Sequence, residues 1–575
     1  MQGINWQEVA TLFEYLPERP MLFNSSIFLL FFILFYGGYL LLLRRFNLRI
    51  LYTLAFSIFF YYKSSGVYFI LLLISTLLDF GLGHYIYHAK DQTRRRFFLI
   101  LSLASNLGML LYFKYTNFLI GSWNDIVGSN FAMTDIFLPV GISFFTFQTL
   151  SYSIDVYRGS LVPVTEEVKD VKSFFQRLMD FAFFVSFFPQ LVAGPIVRAA
   201  DFLPQIHKKP SLNNEQLSQA LFLIMGGLFK KAVISDYISI NFVDRVFENP
   251  ALYSGFDNLL ATYGYAIQIY CDFSGYSDMA IGLALLMGIH LPENFRRPYQ
   301  AISLQDFWRR WHISLSTWLR DYLYISLGGN RRGKIRTYIN LMITMLLGGL
   351  WHGASWVYII WGGLHGVGLA IERFMHRYGR IFRETALSSY LLLLLVHFCL
   401  YGGLYYRYAT GILEQEIYLR YFAGNTIILI IWTSLLFLAY IIDILRGPML
   451  NFSVGKRVSR IFIFHFVCLA WIFFRSGAIG ASLPPLEATV AVLSQIASNF
   501  SLNLVLPFLE AYPVVFGLIA LGFMLHLLPI QWYLDLETRF TQSPLFVKSL
   551  SLAAVIWLVI QTASSEVVPF IYFQF

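Results

Sequence analysis

The amino-acid sequence predicts an all-α, polytopic integral membrane protein. Of its 575 residues, 57% are hydrophobic and only 13% are charged, whereas a soluble globular protein carries about 25% charged residues. Apolar segments long enough to cross a bilayer recur along nearly the whole chain. Short basic clusters separate several of these segments, as in the loops of multi-pass membrane proteins.

Twelve apolar segments are candidate membrane helices. They cover residues 27–43, 50–62, 67–83, 97–112, 216–234, 259–290, 338–371, 391–406, 426–444, 458–474, 513–528 and 547–563. Glycine, proline or charged residues interrupt several of them, which predicts broken or re-entrant helices. We therefore expect about 10–12 spans and at least one re-entrant element.

The positions of the basic residues predict the orientation. Lys and Arg cluster in the loops at 44–49, 84–96 and 445–460, whereas residues 117–135 contain neither. The positive-inside rule places those three loops in the cytoplasm and the N-terminus outside. A nucleic-acid-binding protein would gather its excess basic residues on one polar surface, so we expect no nucleic-acid partner.

The first 20 residues lack the basic start and apolar core of a cleaved signal peptide. We expect a short amphipathic helix at the membrane surface, or an extension before a start at Met21. Cys271, Cys399 and Cys468 lie in apolar segments and are expected to be small buried hydrophobic residues. No combination of His, Cys and carboxylates has zinc-site spacing, so no metal site is expected.

Acidic residues within apolar segments need a structural explanation. Asp79 is expected to cap a span beside His84. Asp272 and Asp278 flank a glycine-containing stretch, and we expect them to cap helices or to pair with arginines. The alternative is that these carboxylates shape a polar path through the protein.

Residues 303–336 mix aromatic and basic side chains. The segment interleaves Trp308, Trp311, Trp318 and Tyr322 with Arg309, Arg310 and Arg320. Such a mixture is typical of a helix anchored at a membrane interface. It would equally suit arginines that bind the phosphates of a nucleotide-bearing thioester, because Arg pairs with phosphate through two hydrogen bonds.

His312 lies within this aromatic and basic segment. On a continuous helix, Trp308, His312 and Ser316 would share one face, and Asp306 would pair with Arg310. The imidazole would then lie beside an indole and a hydroxyl. A structural and a catalytic role for His312 both remain open.

Residues 348–366, GGLWHGASWVYIIWGGLHG, place His352 in an apolar segment. An ionisable side chain at membrane depth usually lines a cavity or a path. Because burial disfavours the charged form, His352 is expected to be neutral and able to accept a proton. General base catalysis and structural hydrogen bonding are the two open roles.

The helical phase and the glycines of this stretch give further expectations. On one continuous helix, Ser355, Trp356 and Ile359 would share the face of His352, and His365 would point elsewhere. Small residues allow neighbouring helices to approach closely and can also break a helix. The glycines concerned are Gly348, Gly349, Gly353, Gly362 and Gly363.

Six stretches in order resemble the membrane-bound O-acyltransferase (MBOAT) family, and within it the alginate O-acetyltransferase branch of polysaccharide acetylases. They are PVGISFFTFQTLSYSIDVYRG (139–159), FFPQLVAGPIVR (187–198), YCDFSGYSDMAIG (270–282), DFWRRWHISLSTWLRDYLYISLGGNRRG (306–333), GGLWHGASW (348–356) and WIFFRS (471–476). The resemblance runs from Met21 to about residue 480. It implies an extension over 1–20, a membrane core over 21–480, and a periplasmic segment with further helices over 481–575.

The resemblance implies a conical helix bundle with a central channel, and catalytic roles for His352 and His312. Ser326 stands where the family pattern often has proline, which implies a local backbone change. Together with the residue chemistry, it leads us to expect donor or substrate binding by Trp308, Arg309, Arg310, Ser316, Asn330, Arg331, Trp351 and Ser355.

The resemblance also implies a reaction and its partners. An acetyl or other acyl group would pass from a cytoplasmic thioester, acetyl-CoA or an acyl-carrier thioester, to an extracellular or periplasmic polysaccharide such as alginate. A periplasmic or cell-surface acetyltransferase or polysaccharide partner, a bacterial inner membrane location and no permanently bound cofactor are expected. The alternatives are D-alanyl or protein acyl transfer by a sister enzyme, a transporter or flippase, and a structural scaffold.

Overall fold

The computed structural model describes residues 11–378 except 18–19 and 211–212, scattered positions from 397 to 430, and residues 454–562 except 479–481. In these ranges every regular element is a helix, as predicted. In the first half of the chain the α-helices are α1 (Ser26–Leu41), α2 (Phe46–Ser65), α3 (Phe69–His88), α4 (Gln92–Leu110), α5 (Thr116–Val127), α6 (Ile142–Arg158), α7 (Val171–Ser186), α8 (Phe188–Leu191), α9 (Ala199–Ile206), α10 (Asn214–Leu228), α11 (Asp236–Ile238), α12 (Asp244–Glu248) and α13 (Gly255–Leu286). The later helices are α14 (Leu304–Trp308), α15 (Ile313–Trp318), α16 (Lys334–His352), α17 (Trp356–Tyr378), α18 (Val454–Ser476), α19 (Pro485–Ser498), α20 (Val505–Ala511), α21 (Pro513–Leu527), α22 (Ile530–Gln542) and α23 (Leu545–Thr562).

The predicted apolar segments coincide with these helices wherever the structure describes them. The segments 391–406 and 426–444 fall almost entirely outside the described residues. Five helical runs in the described part are long and apolar enough to cross a membrane, or up to seven if two bent helix pairs count as spans. This number is below the predicted value of about 10–12. Part of the difference arises because α1 has only 16 residues and α13 carries carboxylates in its apolar half.

One bent pair fits the prediction of a broken or re-entrant element. Helices α19 and α20 meet at an angle of 100° across a short break. Both helices are short, with 14 and 7 residues. The conical outline and the central channel remain predictions.

The chain forms two compact units that alternate along the sequence. The first contains residues 1–233, 272–293 and 530–573, and the second contains 234–271 and 294–529. The predicted boundaries near residues 20 and 480 follow a family pattern and remain predictions. Cys271 and Cys468 are buried free thiols, as expected, whereas Cys399 lies outside the described residues.

In the first unit, a buried carboxylate joins three helices. Asp79 lies in the interior of α3, so the prediction that it caps a span is wrong. Its Oδ1 accepts hydrogen bonds from Ser102 of α4 (2.5 Å) and Ser153 of α6 (2.9 Å), and its Oδ2 accepts one from Asn106 (2.6 Å). Hydrogen bonds on both oxygens offset the cost of burying this polar group.

Asp272 and Asp278 of α13 pair with lysines, and not with the arginines that we expected. Lys231 Nζ lies 2.5 Å from Asp272, and both side chains are almost completely buried. Lys230 Nζ lies 2.5 Å from Asp278. Both lysines belong to a π-helical turn, Phe229–Ser235. Such a turn contains one extra residue, which changes the direction of the side chains that follow it.

In the second unit, glycines allow α16 and α17 to touch through their backbones. A Cβ atom on Gly349 would lie 2.2 Å from the carbonyl oxygen of Tyr358, and one on Gly362 would lie 2.3 Å from that of Met345. The predicted close approach is therefore confirmed at these positions. The predicted break is confirmed too, because α16 ends at His352 and Gly353 is extended.

We expect Gly362→Ala to destabilise the protein, because the new methyl group must displace backbone atoms of α16. Overpacking of this kind costs about 1–3 kcal/mol. Gly363→Ala is the matched control, since its Cβ would meet only a side-chain methyl at 3.5 Å and alanine favours helix by about 1 kcal/mol. The thermal unfolding midpoint in detergent measures both. Equal midpoints for the two variants would contradict the close contact.

Candidate active site

The break after α16 places His352 at the end of a helix and surrounds it with aromatic rings. Its side chain is buried, and the ring centroids of Trp351 and Trp361 each lie 5.0 Å from its own. The ring of Phe474 follows at 5.3 Å. The proposed substrate-binding residue Trp351 is thus a direct neighbour of the proposed catalytic histidine.

The break also makes the predicted helical face around His352 wrong. Ser355 lies in the three-residue connection to α17, and Trp356 is 53% exposed. Conversely, His365 lies close to the site, because its ring centroid is 4.9 Å from that of Trp361. The phase of a helix cannot be extrapolated across residues that are not helical.

His312 occupies a strained backbone position between α14 and α15. Its φ of 43° lies in the left-handed region, which costs a non-glycine residue of order 1–3 kcal/mol. The predicted continuous helix is therefore wrong, and Trp308 and Ser316 do not flank the imidazole. Ser316 donates a hydrogen bond to the carbonyl of Trp311, and Trp308 packs against His365.

Asn294 holds the imidazole of His312. The side-chain oxygen of Asn294 lies 3.1 Å from Nδ1 of His312 and accepts hydrogen bonds from the backbone N–H (3.2 Å) and hydroxyl (2.9 Å) of Ser314. Since a backbone N–H only donates, this atom must be the amide oxygen, so Nδ1 of His312 carries a proton and donates it. The lone pair of the neutral ring is then on Nε2.

Burial keeps this ring neutral. His312 is fully buried and lies outside every described segment that is long and apolar enough to span a membrane. Desolvation lowers the pKa of its imidazole to about 3, because an imidazolium loses its hydration when buried. The ring is therefore uncharged near pH 7.

The structure brings the two predicted catalytic residues together. The ring centroids of His312 and His352 are 6.5 Å apart, and Trp351 lies near both, at 6.2 Å and 5.0 Å. Two imidazoles within one aromatic-lined site can accept a proton from one reacting group and orient another. The second unit alone supplies all of these residues.

Glu372 fixes the start of the segment that leads to His312. It lies in α17 and is buried, and its two carboxylate oxygens accept hydrogen bonds from the backbone N–H groups of Leu304 (2.6 Å) and Gln305 (3.0 Å). These are the first N–H groups of α14, which have no partner inside their own helix. Glu372 thereby ties α14 to the helix that follows His352.

The predicted donor-binding residues occupy different environments. Arg310 pairs with Asp306 at 2.8 Å, as predicted, and Arg320 pairs with Asp321 at 2.6 Å. Arg309, Asn330 and Arg331 are exposed. In the described part of the chain no carboxylate forms an ion pair with Arg309 or Arg331, so these two cations remain accessible to an anionic ligand.

The sequence interpretation missed several residues that shape this site, above all Asn294, Glu372, Trp361 and Phe474. Glu372 could have been found from the sequence, because it is an acidic residue seven positions after His365 near the end of an apolar segment. Asn294 could not have been found in this way, since it lies in a short polar connection with no periodic pattern.

Comparison with known proteins identifies the family. Residues 126–387 match the membrane-bound O-acyltransferase family, MBOAT. A probable alginate O-acetylase of Pseudomonas putida is 45% identical over 361 residues, which cover 61% of this chain and 71% of the relative. A peptidoglycan O-acetyltransferase of Helicobacter pylori is 39% identical over 396 residues, covering 66% and 75%. The chain belongs to the membrane-bound O-acyltransferase family and is a multi-pass membrane O-acyltransferase.

A more distant relative differs in the group it transfers. A teichoic acid D-alanyltransferase of Streptococcus thermophilus is 32% identical over 245 residues, which cover 40% of this chain and 56% of the relative. The shared region is shorter than for the two O-acetylating relatives.

We expect Asn294→Leu to lower acyl transfer by on the order of 10²-fold, because the imidazole of His312 loses the acceptor that orients it. Ser314→Ala is the control. It removes only a hydroxyl, and both the backbone N–H and His312 keep their bonds to Asn294, so its loss should be much smaller. The measurement is the O-acetyl content of the polysaccharide at matched protein level. Wild-type acetylation by Asn294→Leu would contradict this role.

Proposed function

We propose that this enzyme moves an acetyl group from a cytoplasmic thioester donor to hydroxyl groups of a polysaccharide outside the cytoplasm. The proximity of His312 and His352, 6.5 Å apart between their ring centroids, is the observation that carries the proposal. The relatives support the class of substrate, because two of them are named as a probable alginate O-acetylase and a peptidoglycan O-acetyltransferase.

The chemistry assigned to each histidine follows from its environment. The imidazole of His352 accepts the proton of the acceptor hydroxyl, and the oxygen attacks the carbonyl carbon of the thioester. The C–S bond breaks, a C–O ester bond forms, and the thiolate leaves and takes up a proton. That proton comes from the protonated imidazole of His352, which is thereby restored to its neutral form. Nε2 of His312, which carries a lone pair, accepts a hydrogen bond that orients the acceptor.

The basic residues provide the docking site of the donor. Arg309 and Arg331 are exposed and are not paired with carboxylates in the described part of the chain. A thioester donor such as acetyl-CoA or an acyl-carrier protein carries phosphates, which arginine binds strongly. Arg310 and Arg320, each already paired with aspartate, contribute less.

The cellular setting is part of the proposal. The basic loops favour a bacterial inner membrane protein with its N-terminus outside. The acceptor is the polysaccharide itself or a periplasmic partner that carries the acetyl group onward. D-alanyl transfer is the second candidate, favoured by the similarity to a teichoic acid D-alanyltransferase, but that similarity covers less of the chain.

We expect His352→Ala to reduce labelled acetyl transfer by about 10²–10⁴-fold, the usual contribution of a general base. The assay uses purified protein in detergent without a membrane gradient, so that pure transport gives no signal. His290→Ala is the control, because His290 is exposed and lies in the first unit. A well-folded His352→Ala protein with wild-type transfer would end the assignment.

A further inference from the structure

A second polar site lies in the first unit, away from both histidines in the sequence. It is a small, partly open pocket with a cavity volume of about 10 Å³. It lies where several helices begin or end: α1 ends at Leu41, α2 begins at Phe46, and α9 ends at Ile206. Its lining consists of Tyr39, Arg49, Ile50, Thr53, Phe183, Gln205, Ile206, Lys208, Pro210, Met287, Gly288 and Ile289.

The guanidinium of Arg49 is the unusual feature of this pocket. Arg49 is only 4% exposed. Its side chain packs over the ring of Phe46, 5.6 Å from the ring centroid, and donates one hydrogen bond of 3.4 Å to the carbonyl of Leu43. No carboxylate in the described part of the chain forms an ion pair with it. A buried cation normally has an anionic partner, because burial without one costs several kcal/mol.

The charges around the pocket do not supply that partner. The lining includes a second cation, Lys208, and no carboxylate. The acidic group in the adjacent cluster is Asp180, which already pairs with Arg177 and with His207, each at 2.9 Å. His207 stacks on the same Phe46 ring that Arg49 covers.

We propose that this pocket binds a phosphate group, supplied by the headgroup of an anionic phospholipid. Arginine and lysine together provide the charge and the multiple N–H donors that a phosphate oxygen prefers. Ile50, Phe183 and Met287 provide apolar walls at the level where the helices end, as expected for a headgroup site at the membrane surface. A soluble phosphate compound offers the same chemistry, so the test must separate the two sources.

The experiment uses the purified full chain in neutral detergent. Native mass spectrometry follows binding of phosphatidylglycerol, with phosphatidylcholine as the zwitterionic comparison and inorganic phosphate as a soluble competitor. We expect tighter binding of phosphatidylglycerol and about five-fold weaker binding in Lys208→Gln, since one basic residue contributes about a factor of this size. Lys209→Gln is the matched control, because Lys209 is also exposed but does not line the pocket.

Each outcome decides the proposal. Selective phosphatidylglycerol binding that falls in Lys208→Gln and not in Lys209→Gln supports a lipid site. Displacement of that lipid by inorganic phosphate, seen in the wild-type protein and not in the Lys208→Gln variant, supports the same pocket but with a soluble phosphate compound as its ligand. Equal binding of the two lipids, or equal losses in both lysine variants, overturns it. Arg49→Gln should abolish the preference for phosphatidylglycerol over phosphatidylcholine. If the Arg49→Gln protein does not fold, the Lys208→Gln variant still tests the proposal, because Lys208 is exposed.

Discussion

The arrangement of the active site depends on the backbone contact between α16 and α17. Gly349 and Gly362 allow two helices to approach so closely that any side chain at either position would overlap a carbonyl oxygen. The chain must reverse direction between them over residues 353–355. This short reversal fixes His352 at a helix end and turns Trp361 and His365 back toward it, since both lie on the helix that returns.

The second histidine is held by anchors that lie outside its own segment. Asn294 precedes it by 18 residues and Glu372 follows it by 60, yet one fixes the imidazole and the other fixes the start of α14. These bonds stabilise a left-handed residue that would otherwise be unfavourable. The site therefore combines two locally irregular backbones. One lies between the closely packed helices α16 and α17, and the other is held by Asn294 and by Glu372 of α17. Irregular backbone is often found at functional sites.

The sequence predicted the helices and singled out both histidines, whose catalytic roles remain a prediction, but it could not predict how the histidines are supported. Apolar segments such as 458–474 can be predicted because their composition alone determines that they form helices. The positions of Trp308 and His365 could not be predicted, because each depends on a helix break whose exact residue is set by tertiary contacts. Asp272 could not be matched with Lys231, since a π-helical turn shifts the direction of the lysine and leaves no periodic trace in the sequence.

The protonation state of His312 gives the most direct test of this account. Nitrogen-15 NMR of histidine-labelled protein, assigned by difference from His312→Gln, reports which ring nitrogen carries the proton. A neutral ring near pH 7 with the proton on Nδ1 is the predicted result, because the oxygen of Asn294 accepts from that atom. An imidazolium, or a proton on Nε2 alone, would contradict the proposed arrangement of the two histidines.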